Sequence, residues 1–322
     1  MLSYIIKRIL WLIPVIIGVS FIVFFIISNI PGDAVDYLAP ADATEEQKQE
    51  LRAELGLDKS VVERYGRYMI NFIQGDLGNS YITKEPVAKM YMSRLPDTLR
   101  LAGAAVGLSI IVSIPLGVFA ALKRGSFTDN ACMLFALVGV SIPNFWLGLL
   151  LIILFSLTLG WLPSGGTGGI EHLILPAVTL ATGLTALLTR TTRSAMLEVL
   201  RMDYLRTARA KGASERIVVF KHALLNALIP ILTIVGMQFC ACIPGAMVTE
   251  TVFSWAGIGR LIVDSVNMRD VPAITGSVIL TAILTSLILL VVDLLYAVVD
   301  PRIRVQFSSK KSVFKRHSLG EG

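Results

Sequence analysis

An all-α polytopic membrane protein, with six transmembrane helices and a small external subdomain between the first two, is the fold class this sequence predicts. Three observations predict it. The 322 residues are 54% hydrophobic and only 16% charged, whereas soluble domains carry about 25% charged residues. Apolar runs recur along the chain at the length of about 20 residues that a helix needs to cross a bilayer core. Basic residues gather on alternate connections between those runs, as the positive-inside rule requires of inserted helices.

The first span is read at 9–30, behind Lys7 and Arg8. It is longer than the apolar core of a signal peptide and ends in Asn29-Ile30-Pro31-Gly32-Asp33, so it is expected to remain uncleaved. The polar segment 32–97 reads as folded. Thr44 caps a short amphipathic helix over 44–56, Gln47 completes a capping box, and Gly56 ends it. A second helix from Val61 to Phe72 carries Tyr65, Tyr68 and Phe72 at helical spacing. The run Gly75-Asp76-Leu77-Gly78-Asn79-Ser80 is a turn-rich break, and the whole is expected to lie over the outer mouth. Five further spans follow, at 99–122, 131–159, 173–189, 223–249 and 273–299. The third contains Ser141-Ile142-Pro143-Asn144 near its middle. It reads as one span kinked at Pro143 or as two short segments. Two segments would put the most basic loop outside, so the charge rule favours the kink.

With the N-terminus in the cytoplasm, Lys123 and Arg124 lie inside, as do eight basic residues between spans four and five and a basic C-terminal tail. The outer loop 160–172 has neither Lys nor Arg. The net charge of +6 therefore reports membrane topology, not nucleic-acid binding. Cys132, Cys240 and Cys242 sit in or beside apolar stretches and read as core residues, not as a disulfide or zinc framework. His172, His222 and His317 are scattered. There is no Gly-x-x-x-x-Gly-Lys-Ser/Thr phosphate loop, metal-ligand cluster or catalytic triad. The chain is thus expected to be no enzyme and to hold no cofactor or metal.

The most informative stretch is the loop 194–230. Its core reads Asp203-Tyr204-Leu205-Arg206-Thr207-Ala208-Arg209-Ala210-Lys211-Gly212-Ala213-Ser214-Glu215-Arg216. Two helices meeting at Gly212 are expected, the second capped by Ser214. Small side chains at Ala208 and Ala210 would let the first helix seat in a partner's groove, with the basic residues pairing to acidic groups or lipid phosphates. The other reading is a solvated basic loop that only sets topology.

Here the sequence resembles a known family. Arg206 to Gly212, followed by His222-Ala223-Leu224-Leu225-Asn226-Ala227-Leu228-Ile229-Pro230, is similar to the coupling loop of ABC importer permeases, in the version of the peptide/nickel subfamily's B-type subunit. The wider Glu-Ala-Ala-x-x-x-Gly pattern keeps here only Ala208 and Gly212, with Arg206 and Thr207 in the first two places. The resemblance covers nearly the whole chain. It includes Ile6-Lys7-Arg8, the exit at 29–33, Gly75 to Ser80, Pro86-Val87, Arg94-Leu95-Pro96-Asp97-Thr98-Leu99, Glu250 to Arg260, Asp293-Leu294-Leu295-Tyr296 and Asp300-Pro301-Arg302.

The resemblance implies a type I ABC importer permease fold. It divides the chain into a first helix at 1–31, an extracytoplasmic subdomain at 32–93, the transmembrane domain at 94–293 and a helix end with cytoplasmic tail at 294–322. It implies a prokaryotic cell membrane, a second, C-type permease, two ATP-binding subunits that carry ATP and Mg, and an extracytoplasmic binding protein. It assigns ATPase coupling to Asp203, Tyr204, Arg206, Thr207, Ala208, Arg209, Ala210, Lys211, Gly212, Ser214 and Glu215. Peptides are the expected cargo, with nickel, a metal chelate or glutathione as alternatives. An ion-coupled secondary transporter is more remote, since it would show inverted repeats with paired helix interruptions.

Four residues are candidates for pathway or gate: Glu250, Phe253, Trp255 and Asn144. An acid near a span end is a functional hypothesis by default; Glu250 is placed to line the mouth, and Asp293 to pair with a base of the cytoplasmic loop. Trp255 reads as an interfacial anchor or as part of a gate loop folded back over the run 253–259, whose glycines permit a tight turn. Gly103-Ala104-Ala105-Val106-Gly107 is a pattern that permits close helix packing.

Overall fold

The structure, a computed structural model, describes residues 2–30, 34–40 and 42–299. The exit motif at 31–33 and the basic tail from 300 onward lie outside the described residues. Helix α1 (Leu2–Asn29) runs straight through the expected first span. The subdomain follows as α2 (Val35–Leu38), α3 (Glu45–Glu54) and α4 (Val61–Ile73). The capping box of α3 forms as read, with Gln47 N donating to Thr44 Oγ1 at 3.3 Å and Thr44 N to Gln47 Oε1 at 3.0 Å. Gly56 stops the turn at φ +67°. Amphipathic α4 lays its aromatic stripe on the far half of α1: the Tyr65 ring meets Phe21 and Phe24 edge-on at 5.4 and 5.6 Å, and its hydroxyl lies 2.9 Å from Ser20 Oγ. Aromatic pairs of this geometry add about 1 kcal/mol each to simple burial, which fixes the subdomain to the first span.

Helix α5 (Val87–Leu122) begins twelve residues before the apolar window at 99. Its polar first turns are held by tertiary packing, with Val87 against Leu77 and Ala273, and Tyr91 against Ile258 and Ile262. Then come α6 (Phe127–Ser141), α7 (Asn144–Leu151, continued as π-helix to Thr158) and α8 (Ile170–Val199). Helices α5 and α8 form the central pair. They meet tightly at Gly117, where a Cβ would sit 2.5 Å from Thr192 Cβ and 2.8 Å from the Thr189 carbonyl. The close packing expected at Gly103 and Gly107 is absent: both face open space, because the buried edge of the helix passes through Leu101, Ala102, Ala105 and Val106.

The third span is broken, not kinked. Helices α6 and α7 meet at 97° across Ile142 and Pro143, where Pro143 interrupts the backbone ladder. The pair still runs along α8, from near its end toward Val252. Asp129 of α6 binds Arg193 near the end of α8, Gly139 lies beside Thr182, and Gly148 of α7 abuts Val252 and Phe253.

After α8 come α9 (Asp203–Ala210) and α10 (Glu215–Ile217), the latter passing through a π-helical turn (Val218–Ala223) into α11 (Leu224–Gly245). Then follow α12 (Met247–Val252), α13 (Ile258–Asn267) and α14 (Val271–Val299). Five helices are long and apolar enough to span a membrane, and six if the bent pair is counted as one span. Asp293 of α14 pairs with Arg8 of α1, not with the basic loop. The first and last spans pack side by side.

Candidate functional site

Two sites stand at opposite ends of the bundle. At the basic end, α9 lies across the ends of the spans. Leu205 is its anchor, fully buried among Met196, Leu188, Val218, Val219 and Ala223. Ala208 and Ala213 pack half-buried on the same cluster. The other face is open: Asp203, Tyr204, Arg206, Thr207, Arg209, Ala210, Lys211 and Gly212 are all exposed, as are Ser214 and Glu215 beyond them. Gly212 takes φ +83° with nothing within 4 Å of where a Cβ would stand. Glycine is thus favoured by the left-handed turn itself, and the space beside it is free. Arg209 closes the turn, its Nε donating to Glu215 Oε1 at 2.6 Å and its Nη2 to Oε2 at 3.4 Å. The Glu215 carboxylate raises the guanidinium's pKa above its ordinary value. Ser214 sits at the N-cap position with extended backbone, but its side chain makes no capping bond; the fork from Arg209 takes over the task of fixing the turn. Tyr204 reaches back to donate to the His222 carbonyl at 3.4 Å.

This platform is braced from α6. Arg193, in the penultimate turn of α8, donates through Nε to Asp129 Oδ1 at 2.6 Å and through Nη2 to Oδ2 at 2.7 Å. Asp129 also accepts from Gly125 N at 2.9 Å. Its side chain is 3% exposed against 23% for Arg193. The brace was not singled out in the sequence, although an acid at the start of an apolar run is a signal that could have found it.

At the opposite end, the run from Glu250 to Arg260 folds into a closed corner between α12 and α13. Glu250 is fully buried. Its carboxylate accepts from Thr98 Oγ1 at 2.7 Å and from Arg260 N at 3.1 Å. The same Thr98 hydroxyl accepts from Ile258 N at 2.8 Å. Gly257 and Gly259 make room for the carboxylate: a Cβ on Gly257 would lie 2.1 Å from Glu250 Oε1, and one on Gly259 2.5 Å from Met247 Cα. Trp255 is 2% exposed, with Nε1 donating to the Asp97 carbonyl at 3.0 Å. It is therefore no interfacial anchor; the run folds back onto α5. Phe253 is buried too, and its carbonyl accepts from Gly166 N at 2.8 Å. Asn144, at the first turn of α7, faces α8 with Oδ1 at 4.0 Å from a Cβ on Gly183. Phe253 thus packs on the middle of α7, at Gly148, while Asn144 is the first residue of α7 itself. A cavity of about 150 Å³, lined by Arg94, Gly257, Arg260, Leu261 and Asp264, opens beside this corner. Among the described residues, no three His, Cys, Asp or Glu side chains are grouped to hold a metal ion.

The helical bundle with a helix laid across one end can be compared with known families. The description "binding-protein-dependent transport system inner membrane component" matches residues 113–305, and its companion N-terminal description matches residues 1–102. The chain belongs to this family.

Family relatives extend the match to almost the full length. The glutathione transport system permease protein GsiC of Escherichia coli strain CFT073 is 44% identical over 304 residues, covering 94% of this chain and 99% of its own. Its counterparts in Escherichia coli K12 and in Shigella dysenteriae serotype 1 are 43% identical over the same coverage. The fold is shared with the MetNI methionine ABC transporter in two inward-facing crystal forms. Their TM-scores are 0.57 and 0.56 at 19% and 20% identity, over 66% of this chain and 96% and 97% of theirs. The protein is a permease subunit of an ABC importer, a multi-pass inner-membrane component and not the catalytic subunit. Membership of a binding-protein-dependent system implies ATPase and binding-protein partners.

Proposed function

We propose that this permease is the B-type subunit of a peptide/nickel-subfamily importer and that its cargo is glutathione. The observation that carries the cargo is the 44% identity, over 94% of this chain, to a glutathione transport system permease. Glutathione is itself a small γ-linked peptide, so it lies inside the broader peptide class that the coupling-loop resemblance suggests. The glutathione-named relatives favour this narrower cargo over peptides in general, nickel or a metal chelate.

In this reading the N- and C-termini and α9 face the cytoplasm, in accord with the positive-inside rule. The subdomain at 32–93 faces the binding protein, the transmembrane domain runs from 94 to 293, and a C-type permease supplies the other half of the pathway. The exposed face of α9, from Asp203 to Lys211, with Gly212, Ser214 and Glu215, seats in the groove of one of two ATPases. Leu205 on its reverse face carries the ATPase's movement into α8 and α11. An importer works only if such a contact differs between the two states. Glu250, Phe253, Trp255 and Asn144 act at the outer gate. Glu250 and Trp255 brace the corner from within, and Phe253 and Asn144 set the position of α7.

The test is uptake by proteoliposomes containing the whole importer and its binding protein. ATP-dependent entry of labelled glutathione, undiminished by excess dialanine or nickel, is expected. Glutathione that neither enters nor competes, beside robust entry of a dipeptide, would return the cargo to the general peptide class. The coupling assignment is tested separately by isolating the tagged subunit with its partners. Gly212→Pro should lose the ATPases while retaining the second permease.

A further inference from the structure

A second cavity, of about 270 Å³, lies where the subdomain meets the ends of the first and last spans. Ile27 and Ser28 of α1 and Val271 of α14 form its floor, while Arg64, Tyr81 and Arg269 form its walls. Arg52 lines the same cavity and makes contacts of its own. Neither Arg64 nor Arg269 has a carboxylate partner among the described residues. The Arg64 guanidinium is held in place over the Phe24 ring, 5.6 Å from its centroid, an attractive cation–π geometry. Arg269 stands at φ +57°, a left-handed backbone that a side-chain-bearing residue adopts only at a cost. Its neighbour Asp270 does not neutralise it: that carboxylate is buried and occupied by Ser80 Oγ, Tyr81 N and Ala273 N. Ser28 Oγ is buried with no hydrogen-bond partner among the described residues. Two arginines and an unpartnered serine thus line a space large enough for a phosphate.

We propose that this cavity binds the headgroup phosphate of an anionic glycerophospholipid from the adjoining leaflet, tying the subdomain to the membrane surface. The floor decides the source. Ile27 and Ser28 belong to the last turn of the span Arg8–Asn29, and Val271 opens the span Val271–Leu295, so the cavity sits at headgroup depth. Toward the bilayer centre, α1 exposes Ile22, Phe25 and Ile26, each about half accessible, a track for acyl chains. Arginine forks match phosphate oxygens in pairs, and basic pockets at span ends are suited to lipid headgroups. The proposal needs only membrane insertion and is independent of the transported cargo.

Native mass spectrometry of the delipidated full importer, titrated with phosphatidylglycerol, diacylglycerol or inorganic phosphate, tests it. Phosphatidylglycerol is expected to remain bound and diacylglycerol to be lost. Arg64→Gln with Arg269→Gln should weaken retention about thirtyfold. Arg67→Gln, on an exposed residue paired with Glu63, should leave it unchanged. Arg64→Lys with Arg269→Lys, which keeps charge but loses the forks, should give an intermediate loss and keeps the test decisive if the glutamine pair does not fold. Equal lipid retention in wild type and in both paired variants overturns the proposal. So does saturation by inorganic phosphate with no lipid retained, which would make the cavity a free-anion site.

Discussion

Arg193→Ala and Asp129→Ala remove the two halves of one ion pair, yet they should not cost the same. Arg193→Ala leaves a carboxylate that is 3% exposed and keeps only the bond from Gly125 N. An uncompensated buried charge costs about 3–5 kcal/mol. Asp129→Ala leaves a guanidinium that is 23% exposed and can turn toward water or headgroups. Its cost is the charge-assisted bonds alone, about 2 kcal/mol. The double alanine variant abandons no charge and should be milder than Arg193→Ala alone, with a coupling of about 3 kcal/mol that leaves it costing about 2–4 kcal/mol. Because detergent-solubilised membrane proteins unfold irreversibly, the comparison is made at one fixed scan rate. The expected order of melting temperatures is Arg193→Ala lowest, the double variant next and Asp129→Ala highest of the three. With roughly 2 °C for each kcal/mol in a chain of this size, the extremes should differ by about 2–6 °C. Since α8 leads directly into α9, substrate-stimulated ATP hydrolysis by the intact importer should fall in the same order. Equal effects of the two single variants, or strict additivity in the double, would refute the argument from unequal burial.

Three further expectations follow from the geometry. Gly257→Ala places a methyl group on the Glu250 carboxylate and should break its bonds to Thr98 and Arg260, costing about 2–4 kcal/mol. In a background where Trp11, Trp146 and Trp161 are Phe, Trp255 emission should shift to the red; unchanged emission would mean the corner tolerates the displacement. Leu205→Ala empties the anchor under α9 and should destabilise by about 2–5 kcal/mol, with uncoupled basal ATPase activity read in the intact importer. Gly212→Ala meets no atom but must hold a left-handed backbone at about 1–2 kcal/mol. It should therefore bind the ATPases more weakly than wild type and more tightly than Gly212→Pro in a pull-down.

What the sequence decided by itself was local. Thr44 and Gln47 are three residues apart, so the capping box at α3 could be read directly, as could the glycine stops at Gly56 and Gly212. The spans follow from apolar length, because a hydrocarbon core admits no unsatisfied backbone and leaves a helix as the available solution. The polar extension of α5 to Val87 was not legible, since packing on α13 and α14 and not helix propensity holds it. The break at Ile142 and Pro143 was visible as a proline, but its 97° angle is set by where α8 and α12 offer surface to α6 and α7. The functional contacts depend most on the fold. Asp129 meets Arg193 across 64 residues, Glu250 meets Thr98 across 152, and Arg8 meets Asp293 across 285. A sequence lists the charges but not their distances, and a buried carboxylate is tolerable only beside a particular donor. That pairing is fixed when the helices pack, which is why Glu250, an acid near a span end in the sequence, is found fully buried with Thr98 and the Arg260 amide.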